Sequence, residues 1–135
     1  MPSLTKNIVV MIDDDGDTLE IYRLLIEKTP HVHRFITESN PYQALNWLKK
    51  QAISSENFPR YILLDLNMPE LDGIEFLRKF EQQIDYQKLN TEVVILTSSV
   101  RDRDQREALQ YDSVSQFISK PLPKEKLVEF LSTES

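Results

Sequence analysis

Three consecutive acids, Asp13, Asp14 and Asp15, follow directly on the apolar run at residues 8–12. Asp65 follows the apolar run at 61–64, Thr97 closes the run at 93–97 with Ser98 and Ser99 behind it, and Lys120-Pro121 follows the segment at 116–119. Each segment is short and rich in branched or aromatic side chains, so each reads as a strand, and four strand ends carry acid, acid, hydroxyl and ammonium. Carboxylates gathered in one cleft repel one another and raise the pKa of at least one of them unless a cation enters. A hard divalent ion relieves that repulsion: Mg²⁺ takes oxygen ligands, keeps some waters and uses one or two carboxylates plus a phosphate oxygen, and Mn²⁺ would serve in its place. A phosphoryl group can then bridge the ion and the Lys120 ammonium while the Thr97 hydroxyl donates to another oxygen, which are the contacts phosphoryl transfer needs. Asp65 is placed to act as the nucleophile and to become an aspartyl phosphate.

The elements that must position these groups follow from hydrophobic spacing. Strands are expected at 8–12, 32–37, 61–64, 93–97 and 116–119; three of them are almost continuously apolar, which suits strands of a parallel sheet covered on both faces. One-sided helices are expected around Leu19, Tyr22 and Ile26, around Leu45, Leu48 and Ala52, and around Phe76, Leu77, Phe80 and Ile84. A fourth, at 101–112, has little beyond Ala108 and Leu109 to anchor it and alternates charge in Arg101-Asp102-Arg103-Asp104, so it is expected to be the loosest and to carry a solvated face. A fifth at 124–132 recovers the pattern with Leu127, Phe130 and Leu131. Strands alternating with helices predict an α/β, doubly wound (βα)5 sandwich on a five-stranded parallel sheet. In such folds ligands bind beyond the carboxyl ends of the strands, where the charged side chains cluster here. The polar stretch 82–90 either extends the third helix or forms a loop before the fourth strand.

Composition narrows the function. At 135 residues the chain suits one domain, 1–135, with no room for an output domain. It has no Cys, which removes thiolate chemistry and any disulfide framework. Sixteen Lys and Arg against 22 Asp and Glu give a net charge of −6, which argues against direct nucleic-acid binding. With only Gly16 and Gly73, neither a Walker loop nor a GxGxxG dinucleotide fingerprint exists. The first apolar run spans only residues 8–12, too short for a signal-peptide core or a membrane span, so a soluble, cytoplasmic protein is expected.

The chain resembles the receiver domain of two-component response regulators, the chemotaxis-regulator-like family. The matching stretches are Val9-Val10-Met11-Ile12-Asp13-Asp14-Asp15, Leu63-Leu64-Asp65-Leu66-Asn67-Met68-Pro69-Glu70-Leu71-Asp72-Gly73, Val94-Ile95-Leu96-Thr97-Ser98 and Phe117-Ile118-Ser119-Lys120-Pro121, in order and at the expected strand ends. The resemblance implies a flavodoxin-like sheet of order 2-1-3-4-5. It implies Asp65 as phosphoacceptor, Asp14 as a direct metal ligand, Asp13 as an indirect one, and Asn67 as a ligand through its backbone carbonyl. Thr97 and Lys120 would hold the phosphoryl oxygens, Thr97 and Phe117 would be switch residues, and a cis peptide is implied at Lys120-Pro121. The upstream partner would be a phosphohistidine on a sensor histidine kinase or a histidine phosphotransfer protein. The output would be a changed surface of the fourth helix, fifth strand and fifth helix, read by a downstream protein or by a phosphorylation-dependent homodimer. Such a domain catalyses only its own phosphorylation and dephosphorylation, and no organic cofactor is implied. The alternative is a receiver-like interaction module that works without phosphorylation.

Two departures from the family pattern stand out: Asp112-Ser113-Val114-Ser115 where many receivers have a Gly-Ala pair, and the long 82–90 segment. By the same resemblance, Ser99 and Asn67 occupy places where family side chains influence how long the acyl phosphate survives. Asp15 is expected to be a solvated neighbour or the cap of the first helix. Phe117 reads equally as core aromatic and as switch. Trp47, Tyr42 and Tyr22 are expected to pack, and His31 and His33 flank Val32 at strand spacing without the further ligand a metal site needs. A haloacid dehalogenase-type phosphatase is disfavoured because Asp13-Asp14-Asp15-Gly16-Asp17-Thr18 carries one residue too many and no acidic pair follows Lys120. A calcium loop fails because counting back from either glycine puts a Met at the first ligand position.

Overall fold

Alternate side chains of a strand point to opposite faces, so an uninterrupted apolar run is stable only where both faces are covered. The computed structural model, which describes residues 7–29, 32–98, 101–120 and 125, has that arrangement. In β1 (Asn7–Ile12), Val10 and Ile12 join one core while Val9 and Met11 join the other. The same division runs through β3 (Tyr61–Leu64) and β4 (Glu92–Thr97): Ile62, Leu64, Val93 and Ile95 face one side, Tyr61, Leu63, Val94 and Leu96 the other. With β2 (Val32–Glu38) and β5 (Val114–Ser119) these strands form one five-stranded sheet of order β2-β1-β3-β4-β5, every pairing parallel. The flavodoxin-like doubly wound class expected from the sequence is the class observed.

The helices sit where their apolar stripes demand. α1 (Gly16–Ile26) buries Leu19, Tyr22 and Ile26 against the core that holds Val9, Met11 and Phe35. α2 (Pro41–Gln51) and α3 (Gly73–Gln83) cover the other face with Leu45, Leu48, Phe76, Leu77 and Phe80, all buried. Asn40 and Asp72 cap these two helices by accepting backbone N–H groups of their first turns. α4 (Asp102–Leu109) has a single buried residue, Ala108.

Several boundaries differ from expectation. β5 begins at Val114, not 116, because its first residue pairs with Val93 across a register shift that the polar Ser115 and Gln116 do not announce. α4 is shorter at both ends than 101–112; it closes with the Tyr111 N–H bonded back to the Ala108 carbonyl, three residues away. Of the 82–90 stretch, Gln82 and Gln83 complete α3, Ile84 turns extended, and Tyr86–Lys88 forms a 3₁₀ turn. Asn90, two residues beyond that turn, lies in the left-handed region with φ of 51°, where its short polar side chain is tolerated. Tyr22 is buried and Trp47 packs against the larger core, but Tyr42 is a correction: in the first turn of α2 it faces solvent and is 49% exposed. The fifth helix expected at 124–132, apart from Glu125, lies outside the described residues, as do Ser99, Pro121 with its peptide bond, and His31 with the expected His31 and His33 pair.

Candidate functional site

Parallel pairing carries the backbone one residue past the strands and so fixes the residues that end them. The Asp13 N–H donates to the Glu38 carbonyl at 3.2 Å, the Asp65 N–H to the Ile12 carbonyl at 3.0 Å, and the Lys120 N–H to the Thr97 carbonyl at 2.8 Å. Neighbouring strand ends therefore present Asp13, Asp65, Thr97 and Lys120 along one edge of the sheet. Asp13 and Thr97 are fully buried, Asp65 is 6% exposed, and Asp14 stands in solvent.

The carboxylates of Asp13, Asp14 and Asp65 each offer an oxygen, and these lie within 4.8 Å of one another. Asp13 has both oxygens engaged: Oδ1 accepts the Asp15 N–H at 2.9 Å and Oδ2 receives the Lys120 ammonium at 2.5 Å. Asp65 Oδ1 accepts the Asn67 N–H at 3.2 Å, and its Oδ2 is 4.0 Å from Lys120 Nζ. Burial pushes the Asp65 carboxyl above the usual carboxylate range and the Asp13 charge adds to this, against the Asn67 N–H, Lys120 and the Thr97 hydroxyl. Among the described residues two buried carboxylates share one ammonium, so these groups carry more negative charge than they neutralise. The carboxylate donors are hard oxygens, the set suited to Mg²⁺ or Mn²⁺.

The turn after β3 is anchored from below. Leu66, Met68 and Leu71 are buried in the larger core, and Gly73 starts α3 directly behind the turn, its N–H bonded to the Leu66 carbonyl at 2.9 Å. A Cβ at Gly73 would lie 2.6 Å from Leu66 Cα and 2.8 Å from the Asp65 carbonyl oxygen, so only glycine permits this approach. Asp72, one residue earlier, caps α3 by accepting the Glu75 N–H at 3.0 Å.

Asp15 behaves as a helix cap: it accepts from the Asp17 N–H at 3.1 Å and the Thr18 hydroxyl at 2.9 Å, and the Thr18 bond leads in holding its carboxyl below the ordinary range. Phe117 is half-buried and packs on the larger core. Two contacts were not anticipated. The Asn67 side-chain amide donates to Thr97 Oγ1 at 3.3 Å, joining the β3 and β4 ends, and the Asn40 amide donates to Glu70 at 3.2 Å, joining the loops after β2 and β3. Asn40 before Pro41 is a legible capping signal, but its second partner depends on tertiary structure.

Residues 9–132 match the family model described as the response regulator receiver domain. A two-component response regulator from Cytophaga hutchinsonii is 31% identical in sequence and superimposes with a TM-score of 0.79, each chain covered to 92%. A CheY-like receiver domain protein from Methanospirillum hungatei shares the fold at a TM-score of 0.75 with 17% identity, covering 93% of this chain and 90% of that one. Among curated sequences, a protein-glutamate methylesterase/protein-glutamine glutaminase of Pseudomonas syringae is 27% identical over 118 residues. That match takes in 86% of this chain but 30% of the methylesterase, so only the receiver part of that enzyme has a counterpart here. An uncharacterized 14.6 kDa protein of Leptolyngbya boryana is 24% identical over 131 residues, 97% of this chain and 92% of that protein.

Proposed function

The chain belongs to the response regulator receiver domain family, and from that premise we propose that it accepts a phosphoryl group on Asp65 and signals through a phosphorylation-dependent surface. The reading rests above all on the Asp13, Asp14 and Asp65 carboxylates gathered within 4.8 Å of one another beside Lys120. Asp14 and Asp65, with the Asn67 backbone carbonyl and, indirectly, Asp13, would hold a Mg²⁺ or Mn²⁺ ion, which when bound neutralises charge on the incoming phosphoryl oxygens.

A carboxylate oxygen of Asp65 attacks phosphorus, the N–P bond of a donor phosphohistidine breaks, and the imidazole leaves with the bonding electron pair. The product is an acyl phosphate on Asp65 and an unmodified histidine on the donor. Lys120, now bonded to Asp13 and 4.0 Å from Asp65, is within reach of a new phosphoryl oxygen. Thr97, already bonded to Asn67, supplies a hydroxyl from the next strand. The added charge and acceptors draw Thr97 and its loop inward and so bias α4, β5 and the expected fifth helix, with Phe117 of β5 following.

On this reading 1–135 acts as a single receiver in the cytoplasm. Its donor is a sensor histidine kinase or a histidine phosphotransfer protein, and its output passes through a partner protein or a homodimer. No described helix is long and apolar enough to cross a membrane. Intact-mass measurement after incubation with acetyl phosphate tests the reading. The expected result is a Mg²⁺-dependent gain of one phosphoryl group that is absent in Asp65→Asn. No adduct under rapid quenching would favour the phosphorylation-independent interaction module.

A further inference from the structure

Asn40 caps α2, a task that Asp performs about equally well; the difference between the two is a hydrogen-bond donor. Asn40 Oδ1 accepts the Tyr42 N–H at 2.9 Å and the Gln43 N–H at 3.1 Å. With the oxygen held by two backbone groups, the amide nitrogen is left to reach the next loop, where it donates to Glu70 Oε2 at 3.2 Å. An Asp in its place would set a second carboxylate against Glu70.

This bond completes a connected path. The Asp13 N–H donates to the Glu38 carbonyl at 3.2 Å, the Asn40 N–H donates to Glu38 Oε2 at 3.0 Å, and the Asn40 amide donates to Glu70. Because β1 lies between β2 and β3 in the sheet, the path runs from the β1 end, with Asp13 and Asp14, by way of the β2 end to the turn after β3. It borders the acids on the β2 side, whereas Thr97 and Lys120 stand on the β4 and β5 side. Within the turn Leu66, Met68 and Leu71 are held by the core, while Asn67, Pro69 and Glu70 are exposed. Asn40 gives that exposed side a partner on the neighbouring loop. We infer that Asn40 is a positioning residue for ion binding: through Glu70 its amide holds the turn that carries Asn67 in register with the Asp13-Asp14 end of β1, and so favours the divalent cation these groups would share. The inference rests on the metal-dependent phosphoryl-acceptor reading for the ion; the path itself rests on the ligand-free contacts alone.

Three variants of the full chain test this: Asn40→Asp, Glu70→Gln, and both together. The first keeps the cap and loses the donor, and the second keeps an acceptor for the Asn40 amide. In the double variant the new glutamine amide can donate to the new aspartate, so the bond returns with reversed polarity at the wild-type net charge. In a calorimetric titration Asn40→Asp lowers Mg²⁺ affinity about threefold, in keeping with one modest hydrogen bond, while Glu70→Gln and the double variant stay near the wild type. A carboxylate acting through its charge alone would strengthen Mg²⁺ binding, so the sign separates positioning from electrostatics. In metal-free buffer amide exchange at 67–71 rises in Asn40→Asp and returns in the double variant, while exchange at 42–45, where the cap is kept, is constant throughout. Unchanged or tighter Mg²⁺ binding by Asn40→Asp, or a double variant no better than the single one, overturns the inference. A matching rise at 42–45 overturns it too, by making the effect that of a lost cap. If the wild type neither binds Mg²⁺ nor gains a phosphoryl group from acetyl phosphate, the phosphoryl reading fails, and the role of Asn40 in ion binding fails with it, whatever the exchange contrast.

Discussion

Among the described residues Lys120 is the cation paired with the buried acids, and its removal measures how much unbalanced charge they carry. Its ammonium sits 2.5 Å from Asp13 and 4.0 Å from Asp65, with side chains 17%, 1% and 7% exposed respectively. Breaking a buried pair by deleting one partner costs about 3–5 kcal/mol, because a charge is left without compensation. The low end applies to Lys120→Met, since the lysine tip is partly solvated and Asp13 keeps the Asp15 N–H: about 3 kcal/mol. For a chain of this length that is roughly a 10 °C fall in Tm in metal-free buffer at neutral pH. Saturating Mg²⁺ restores part of it by supplying another cation, and the deficit shrinks as pH falls, because protonated carboxyls need no counter-ion. Differential scanning calorimetry across pH, with and without Mg²⁺, checks all three. A fall below about 3 °C, or one equally large in acid, would refute the electrostatic account of the pocket.

Three further outcomes follow from the same geometry. Burial raises the Asp65 pKa above its unfolded value, so Asp65 favours folding most below the ordinary carboxylate range, and that contribution is lost as pH rises through the folded pKa. Asp65→Asn should therefore unfold at higher urea than the wild type at neutral pH and at similar urea in acid; a less stable variant at neutral pH contradicts this. Gly73→Ala forces a Cβ into the Leu66 backbone and should cost about 2 kcal/mol. It should also weaken Mg²⁺ binding in a fluorescence or calorimetric titration, whereas Ile26→Val, buried in the opposite core, costs about 1 kcal/mol and leaves Mg²⁺ affinity unchanged. Free Mg²⁺ at about 100 times its Kd should stabilise the wild type by about 2.7 kcal/mol, an effect that Asp14→Asn largely removes; an undiminished stabilisation would exclude Asp14 as a ligand.

The site's members were legible because a charged residue directly after a continuous apolar run has few bland explanations, as at Leu64 to Asp65 and Ile12 to Asp13. The parallel sheet was legible for the same reason, since Val93 to Leu96 offers apolar side chains to both faces. The start of β5 was not, because Ser115 and Gln116 lie on an exposed edge where pairing with β4, rather than burial, makes the strand. Local patterning also does not reach the Asn67 bond to Thr97 or the Tyr86 bond to Asp112, whose partners are 30 and 26 residues apart in the chain. Gly73 could be read as a turn residue, but the Leu66 backbone that excludes a Cβ there is visible only once α3 packs behind β3.

The most direct test of the central claim is to locate the phosphoryl group chemically. After phosphorylation with acetyl phosphate and Mg²⁺, borohydride reduces an acyl phosphate to the corresponding alcohol, and peptide mass spectrometry then reads which residue carried it. The account predicts homoserine in place of aspartate at position 65, with Asp13 and Asp14 unchanged. Reduction at another carboxylate, or none while the intact mass shows a phosphoryl adduct, would contradict it.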